Sequence, residues 1–445
     1  MRLRLQSPAV LEAFSPRVPP SKYVANRVLL LAALAAGPTV LHGVPESEDM
    51  RAALDFVRAF GAAVEPLASG ALLVTGVSAC PRFAPGALVD LGESGTLARF
   101  ALAIAALQGE EVVLDGRGRL RERPMGELLR VLEALGARVS ATREGLPVRL
   151  RGPLRGGRVR LSGRVTSQFA SALLIVGPLL EGGLVLGFED EPVSASYLGL
   201  TVETMTAFGA RVHGDPRRGY EVSGAQGYRG GEQRIPPDPT ALGYFAALAA
   251  LFPTTLRHEF PPPPWTGEAR ALEVIASMGA RISVHDGLEV TGTEETLRSP
   301  GRVDARDFPD SIPALAALAA VAQGETVFTG VGHLRHKESD RIAALVGELS
   351  RLGVEARAEA DALWLRGRPL DPGAEPVFSA HGDHRLAMSL ALLSTRLGRV
   401  TIDGAESVRK SFPGYWTELG RLGFRVETLQ ETMRGARHSG ESRPT

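Results

Sequence analysis

The sequence predicts an α/β (α+β) fold built from six related units in two domains. Three observations carry this. First, a helix-ending signature recurs six times: Phe60-Gly61-Ala62, Leu135-Gly136-Ala137, Phe208-Gly209-Ala210, Met278-Gly279-Ala280, Leu352-Gly353-Val354 and Leu422-Gly423-Phe424. Its spacing, roughly 70–75 residues, is too long for a solenoid repeat and suits a small supersecondary unit. Second, each unit carries an earlier, alanine-rich segment that is apolar nearly all round, as a buried helix must be. Third, Gly227 to Pro239, with its glycines and Pro236-Pro237, reads as a connector near the midpoint.

Taken in order, the buried helices are expected from Val24 to Ala36, Thr96 to Leu107, Phe169 to Leu180, Ala241 to Leu251, Ile312 to Ala322 and Leu386 to Leu397. A strand follows each, such as Glu111 to Leu114 or Arg399 to Ile402. An amphipathic helix comes next and ends on the signature glycine, which fits a left-handed C-cap. The next apolar residue starts a strand. Each unit therefore reads strand, buried helix, strand, amphipathic helix, strand, often with one more strand, as in Ala71 to Val74. Pro261 to Pro264, followed by Trp265, reads as a stiff loop. From about Thr428 the chain is polar and patternless, and a mobile tail is expected.

Composition narrows the function. The net charge is zero, which gives no reason to expect nucleic acid or a membrane surface as partner. The single cysteine, Cys80, excludes an internal disulfide framework and suits a reducing compartment. The N-terminus lacks the unbroken apolar stretch of a signal peptide. The longest apolar run, Ala172 to Gly187, is broken by Pro178 and Glu181. A cytoplasmic, monomeric protein is expected. Of 50 basic residues only three are lysine: Lys22, Lys337 and Lys410. Where nearly every cation is arginine, a persisting lysine marks a place for a compact charge that can release its proton. No lysine follows a glycine, so a Walker A loop is excluded.

The polar candidates collect at helix starts. Buried helices open with Ser21-Lys22, Glu93-Ser94-Gly95-Thr96, Thr166-Ser167-Gln168, Asp238-Pro239-Thr240, Asp310-Ser311 and Asp383-His384-Arg385. Amphipathic helices open near Arg121 to Pro124, Ser194 to Tyr197, Lys337 to Asp340 and Arg409 to Ser411. Ser, Thr and Asp are ordinary N-caps. Lys22, Arg27, Arg123, Lys337, Arg341, Arg385 and Lys410 are not, because cations oppose the dipole at a helix N-terminus. Something negative must offset them, and helix N-termini with arginine forks suit phosphate and carboxylate. A cleft between two domains that binds small polyanions, without metal or cofactor, is implied. Glu338 and Asp310 are its candidate carboxylates; Lys22, Lys337, Lys410 and His384 are its candidate acids.

These segments resemble the enolpyruvyl transferases, most closely the EPSP synthase branch. The resemblance rests on P-S-K-Y-V-A-N-R (Pro20 to Arg27), L-G-E-S-G-T-L-A-R (Leu91 to Arg99), R-L-R-E-R-P-M-G (Arg119 to Gly126) and V-T-S-Q-F (Val165 to Phe169). It rests equally on F-P-D-S-I-P (Phe308 to Pro313), H-K-E-S-D-R (His336 to Arg341), G-D-H-R-L-A-M (Gly382 to Met388) and R-K-S-F-P-G-Y (Arg409 to Tyr415). It implies a two-domain inside-out α/β barrel, each domain holding three βαβαββ repeats about a pseudo-threefold axis. The domains would cover 21–234 and 1–20 with 235–427, leaving 428–445 as the tail. It also implies addition of the 5-hydroxyl of shikimate 3-phosphate to C2 of phosphoenolpyruvate, then loss of phosphate from a tetrahedral ketal. Glu338 would exchange the methylene proton, Asp310 would handle the hydroxyl and Lys22 would assist the departing oxygen. Phosphoenolpyruvate would meet Lys22, Gly95, Arg123, Gln168, Arg341, His384, Arg385 and Lys410. Shikimate 3-phosphate would meet Lys22, Tyr23, Arg27, Thr166, Ser167, Gln168, Ser194, Tyr197, Asp310, His333 and Lys337.

The chain departs from the family pattern at Tyr23 for Ser, His333 for Asn, Glu93 for Asn, Phe100 for Pro and Thr166 for Ser. Tyr23 and His333 bear on the acceptor, whereas the cations expected for phosphoenolpyruvate are complete. Two alternatives stand beside this reading: a relative acting on another anionic alcohol, and a catalytically silent anion-binding homologue. The branch acting on UDP-N-acetylglucosamine usually has a cysteine in the loop matching Arg119 to Arg123, and none is present.

Overall fold

The computed structural model describes residues 1–141, 144–264 and 266–429. Trp265 and the tail from residue 430 lie outside the described residues. The fully apolar segments became the central helices: Lys22–Leu34, Gly95–Ala105, Ser167–Val176, Pro239–Ala250, Ile312–Val321 and His384–Leu392. Nearly every side chain of the Ile312–Val321 helix is buried, which explains why its sequence shows no polar face. The amphipathic helices are Glu48–Ala59, Gly126–Ala134, Ser196–Ala207, Gly267–Ser277, Arg341–Ser350 and Tyr415–Arg421. All six signature glycines have positive φ, between +76° and +126°, and so terminate these helices as left-handed caps.

Among the described residues, six small sheets cover the central helices. A typical one orders its strands Ala87–Asp90, Val112–Asp115, Val148–Arg151 and Arg138–Ala141. The first pair is parallel and the others antiparallel, as a βαβ crossover followed by an αββ return requires. Strand burial alternates, inward residues packing on the helices. Two hydrophobic cores result. One gathers residues between Ala25 and Ile235. The other gathers Leu3, Leu5, Leu11 and Phe14 with residues between Ala241 and Phe424. In the second core the helices Pro239–Ala250, Ile312–Val321 and His384–Leu392 touch one another pairwise, the inside-out arrangement about a pseudo-threefold axis.

Three details differ from the sequence reading. Part of the expected connector is a strand: Glu232–Arg234 pairs in parallel with Pro38–His42 and supplies the edge of the first sheet. A short, polar edge strand carries no alternation to betray it. The N-terminal strand Arg2–Gln6 is inserted between Arg399–Asp403 and Arg425–Leu429 in the last sheet. Thr428 and Leu429 therefore belong to a sheet and not to a tail, because Arg2 and Leu3 pair with them. The chain crosses between cores twice, and the crossings pair: Pro20 bridges Pro237 antiparallel. Ser21 N–H donates to the Pro236 carbonyl and Asp238 N–H to that of Pro19, each at 2.7 Å.

A further glycine pattern appears only in three dimensions. In five units a glycine after the strand that runs back over the central helix touches that helix's last carbonyls. At Gly367 a Cβ would lie 2.1 Å from the Ala322 oxygen and 2.2 Å from that of Ala319. Backbone cannot rotate aside as a side-chain tip can. We expect Gly367→Ala to lose about 2–3 kcal/mol and roughly 5–10 °C of melting temperature by calorimetry. Gly347→Ala, with nothing within 4 Å of its Cβ in a helix, should be neutral or stabilising.

Candidate active site

The starts of the central helices converge on the seam between the two cores. Ser21, Thr166, Asp238 and Asp383 cap four of them through their own side chains. From the opposing side come three 3₁₀ turns, Gly118–Glu122, Gly332–His336 and Ala405–Lys410. These turns deliver Arg123, Lys337 and Lys410 to the seam. The sequence reading ran them together with the helices that follow, since a single tight turn has no apolar period.

Arg341 is the centre of the charge network. Its guanidinium is 1% exposed and meets three carboxylates. Nη1 donates to Asp310 Oδ1 at 2.7 Å, Nη2 to Glu338 Oε2 at 2.7 Å, and Nε to Asp383 Oδ2 at 2.8 Å. Burial alone would raise the Asp310 carboxyl, but Arg385, Lys337 and Arg341 outweigh it and hold it well below the usual range. Glu338 behaves alike: burial opposes, while Arg341, Lys410 and Arg123 keep it ionised. Arg123 reaches across the seam to within 3.8 Å of Glu338 Oε1. Arg385 Nε lies 3.2 Å from Asp310 Oδ1.

Around Asp310 the groups expected to meet the acceptor form a small enclosure of about 20 Å³. Arg27, Thr166, Ser167, Gln168, Ser194 and Lys337 line it, with Tyr23, Tyr197 and Asp310. The Tyr23 hydroxyl donates to Asp310 Oδ2 at 2.5 Å and accepts from Arg385 Nη2. Its ring lies 4.9 Å from that of Tyr197. Arg27 is held by Thr201 Oγ1 and the carbonyls of Tyr23 and Tyr197, and rests 5.3 Å above the Phe100 ring. Burial lowers the Arg27 pKa to about 10. Lys337 comes down to about 8, through burial and the Arg341 and Arg123 guanidiniums, against the pull of Asp310. His333 is buried beside Lys337, and burial with that lysine lowers it to about 3; it does not line the enclosure.

The second cluster surrounds Glu338 and Arg123. Gly95 makes room for it: a Cβ there would lie 2.1 Å from Arg123 Nη1 and 2.7 Å from Arg99 Nη1. Gln168 Nε2 donates to Thr96 Oγ1 at 3.0 Å, and its Oε1 has no partner among the described residues. Lys22 lies 3.5 Å from Asp49 and Lys410 3.5 Å from Glu93. The cations expected for phosphoenolpyruvate are thus present, but Glu93 already engages one of them from the opposite domain. His384 needs correcting as a candidate acid. Burial, then Lys22 and Arg385, hold its pKa well below the usual imidazole value; neither ring nitrogen has a hydrogen-bond partner among the described residues, though Nδ1 lies 3.8 Å from Asp383 Oδ1. It is a neutral ring at pH 7.

Sequence reasoning missed Asp383, Arg99 and Asp49. Asp383 looked like a plain N-cap, and it is one, accepting from Arg385 N–H at 2.9 Å. Its other oxygen takes Ser339 Oγ and Arg341 Nε. Arg99 is 2% exposed and donates to the Gly95 carbonyl at 2.8 Å. Its signal was legible: a lone charge inside an otherwise apolar helix.

Comparison with known proteins agrees with this arrangement. The profile of a family described as EPSP synthase (3-phosphoshikimate 1-carboxyvinyltransferase) matches residues 13–419. A 3-phosphoshikimate 1-carboxyvinyltransferase of Deinococcus radiodurans is 39% identical over 427 residues, covering 94% of each chain. One from Methanothrix thermoacetophila is 38% identical over 414 residues, 92% of this chain and 95% of its own. The solved EPSP synthase of Acinetobacter baumannii superposes with a TM-score of 0.78 at 26% identity, over 96% of this chain and 100% of that one. The enolpyruvyl transferase NikO of Streptomyces tendae shares the fold, with a TM-score of 0.75 at 19% identity, over 96% of this chain and 98% of that one.

Removing Arg341 would take from three buried carboxylates the one cation that bonds all of them. We expect Arg341→Met to lose about 3–5 kcal/mol at pH 7 by denaturant unfolding. Asp310 and Glu338 have depressed folded pKa values, so their stabilisation is present above the ordinary carboxylate range and lost as pH falls through the depressed values. The gap between wild type and variant should therefore be full at neutral pH and narrow below about pH 4.

Proposed function

The chain belongs to the EPSP synthase family, and we propose that it transfers the enolpyruvyl group of phosphoenolpyruvate to the 5-hydroxyl of shikimate 3-phosphate, releasing phosphate. This is a step of the shikimate pathway to aromatic amino acids. The observation that carries the reading is the contact chain Arg123–Glu338–Arg341–Asp310–Tyr23, which joins the two domains through both candidate proton carriers.

The addition step forms a bond from the acceptor oxygen to C2 and adds a proton to the methylene carbon. Asp310, ionised and hydrogen-bonded, takes the hydroxyl proton. Glu338 supplies the methylene proton and recovers it on elimination, when the C2–O bond to phosphate breaks and Lys22 protonates the departing oxygen; Asp310 then releases its proton to solvent and Lys22 takes one up, which closes the cycle. Glu338 has to be protonated for the first of these events. Phosphoenolpyruvate brings a phosphate and a carboxylate to Arg123, Arg385 and Lys410. Two of these, Lys410 and Arg123, help depress Glu338, so neutralising them raises its proton affinity when the substrate arrives. Arg341 then holds both carboxylates in place. Arg27, Thr166, Ser167, Gln168, Ser194, Tyr197 and Lys337 hold the acceptor's ring and phosphate.

An enclosure of about 20 Å³ is far below the few hundred that a ligand of this size needs, so the domains part to admit the acceptor. We place the domain seams at residues 20/21 and 234/235, where the crossings pair. A monomer working in the cytoplasm is part of this reading, the single cysteine suiting a reducing compartment.

With purified protein, phosphoenolpyruvate and shikimate 3-phosphate, phosphate release should be robust; release only with another alcohol would replace the acceptor named here. Glu338→Gln should abolish turnover yet keep phosphoenolpyruvate binding within about tenfold, because it deletes a proton carrier and no cation. Lys337 is charged below about pH 8 and neutral above it. In the free enzyme its charge is therefore lost as pH rises through that value, and kcat/KM for the acceptor should fall above it. Lys337→Arg should keep the profile flat through pH 9.

A further inference from the structure

On the far side of Tyr23 and Tyr197 lies a second cavity, of about 470 Å³, much larger than the enclosure around Asp310. It sits against the paired crossings: Ser21 and the segment from Gln233 to Pro239 form one wall. Val24, Val28, Leu200 and Ala207 of the first domain form a second. Leu242 and the run Phe260 to Pro263 of the other domain form a third. The walls are mostly apolar, and the polar groups are few and placed.

At the inner end Glu268, 6% exposed, accepts at Oε1 from both Thr240 Oγ1 and Tyr197 OH, each at 2.9 Å. Its second oxygen receives no hydrogen bond from another described residue. Burial raises its pKa above the usual carboxylate value, against the hydrogen bonds from Thr240, its own backbone and Tyr197. At the rim, Glu203 and Arg234 are exposed and carry opposite charges. Neither side chain makes a hydrogen bond or ion pair among the described residues.

We propose that this cavity is a regulatory binding site for an aromatic α-amino acid whose ring carries a hydrogen-bond donor, a phenol or an indole. The rim matches the zwitterion, ammonium to Glu203 and carboxylate to Arg234. The proline and leucine walls take the ring, and Glu268 accepts its O–H or N–H. A volume of this size suits such a molecule with water to spare. The occupant touches both domains and both crossings, so it binds this spacing of the domains better than a wider one. A ligand with that preference shifts the population toward the closed form, and turnover then falls. The consequence for turnover rests on the proposed transferase function; the binding itself does not.

The test is calorimetric titration of the full chain with L-tryptophan, beside phosphate-release kinetics. L-tryptophan should bind with a dissociation constant below about 1 mM. Tryptamine and indole-3-propionate, each lacking one charge, should bind at least about fivefold more weakly, as should the Arg234→Ala and Glu203→Gln variants. Ala207→Trp, which fills the cavity from an exposed position, should abolish binding, and all three variants should keep normal basal turnover. Inhibition should be non-competitive with phosphoenolpyruvate and absent in Ala207→Trp. No heat up to 10 mM, or binding indifferent to Arg234→Ala and Ala207→Trp, would overturn the site. Binding without inhibition would overturn its regulatory role. A protein with no basal turnover at all would count against the transferase function and leave the calorimetric result standing.

Discussion

Everything in the site depends on one buried guanidinium. Three carboxylates around a fully enclosed arginine carry more negative charge than it can cancel. The excess has to be met from elsewhere, and Arg385, Arg123, Lys337 and Lys410 meet it. Removing charge from water is costly unless partners and hydrogen bonds replace the solvent. Here the replacement is mutual, with Asp383 fixed by Ser339 Oγ and a helix N–H and Asp310 by Tyr23. Such a network favours one arrangement of side chains, and that arrangement spans both domains. Arg123 belongs to the first and Glu338 to the second, so the charge balance is complete only when the domains are together.

The fold is suited to that requirement. Each central helix ends its chain of buried, alanine-rich turns at the seam, where its unpaired N–H groups and capping side chains are concentrated. Repetition places six such ends around one cleft, whereas a single unit would present one. The two crossings lie side by side and hydrogen-bond through Ser21 and Asp238. They confine relative motion of the domains to one edge of the cleft. Lys22 and Tyr23 follow directly after one crossing and Asp238 ends the other, so movement at that edge acts on the site without an intervening element.

Much of this was legible in the sequence because it depended on composition and period. Six apolar helices and six left-handed glycines are local features, and local features repeat visibly. The retention of Lys22, Lys337 and Lys410 among arginines pointed at the seam, and all three are there. What was hidden depended on partners distant in the chain. Glu232–Arg234 is a strand only because Pro38–His42 lies beside it. The role of Asp383 is set by Arg341, and the state of His384 by burial under Lys22 and Arg385. Glu93 read as a departure from a family pattern, and only the closed domains show it facing Lys410. A residue's neighbours in space decide its charge, and the chain order carries no direct record of them.

The departures at positions 23 and 100 are better understood together than singly. A tyrosine at 23 carries its hydroxyl several ångströms farther from the backbone than a serine would. The hydroxyl therefore lands between Asp310 and Arg385, while the ring occupies space beside Tyr197. Burial keeps that phenol well above its usual pKa, so it stays a neutral donor to Asp310. Phe100 in turn supports the Arg27 guanidinium from below, on a face where a proline would offer no π surface. Arg27 then reaches the carbonyls of Tyr23 and Tyr197, which ties the aromatic pair to the helix that bears it. The two positions meet through Arg27, which stacks on Phe100 and donates to the main-chain carbonyl of Tyr23. Tyr23 and Tyr197 line both the enclosure around Asp310 and the cavity behind it, and of the two it is Tyr23 that bonds Asp310.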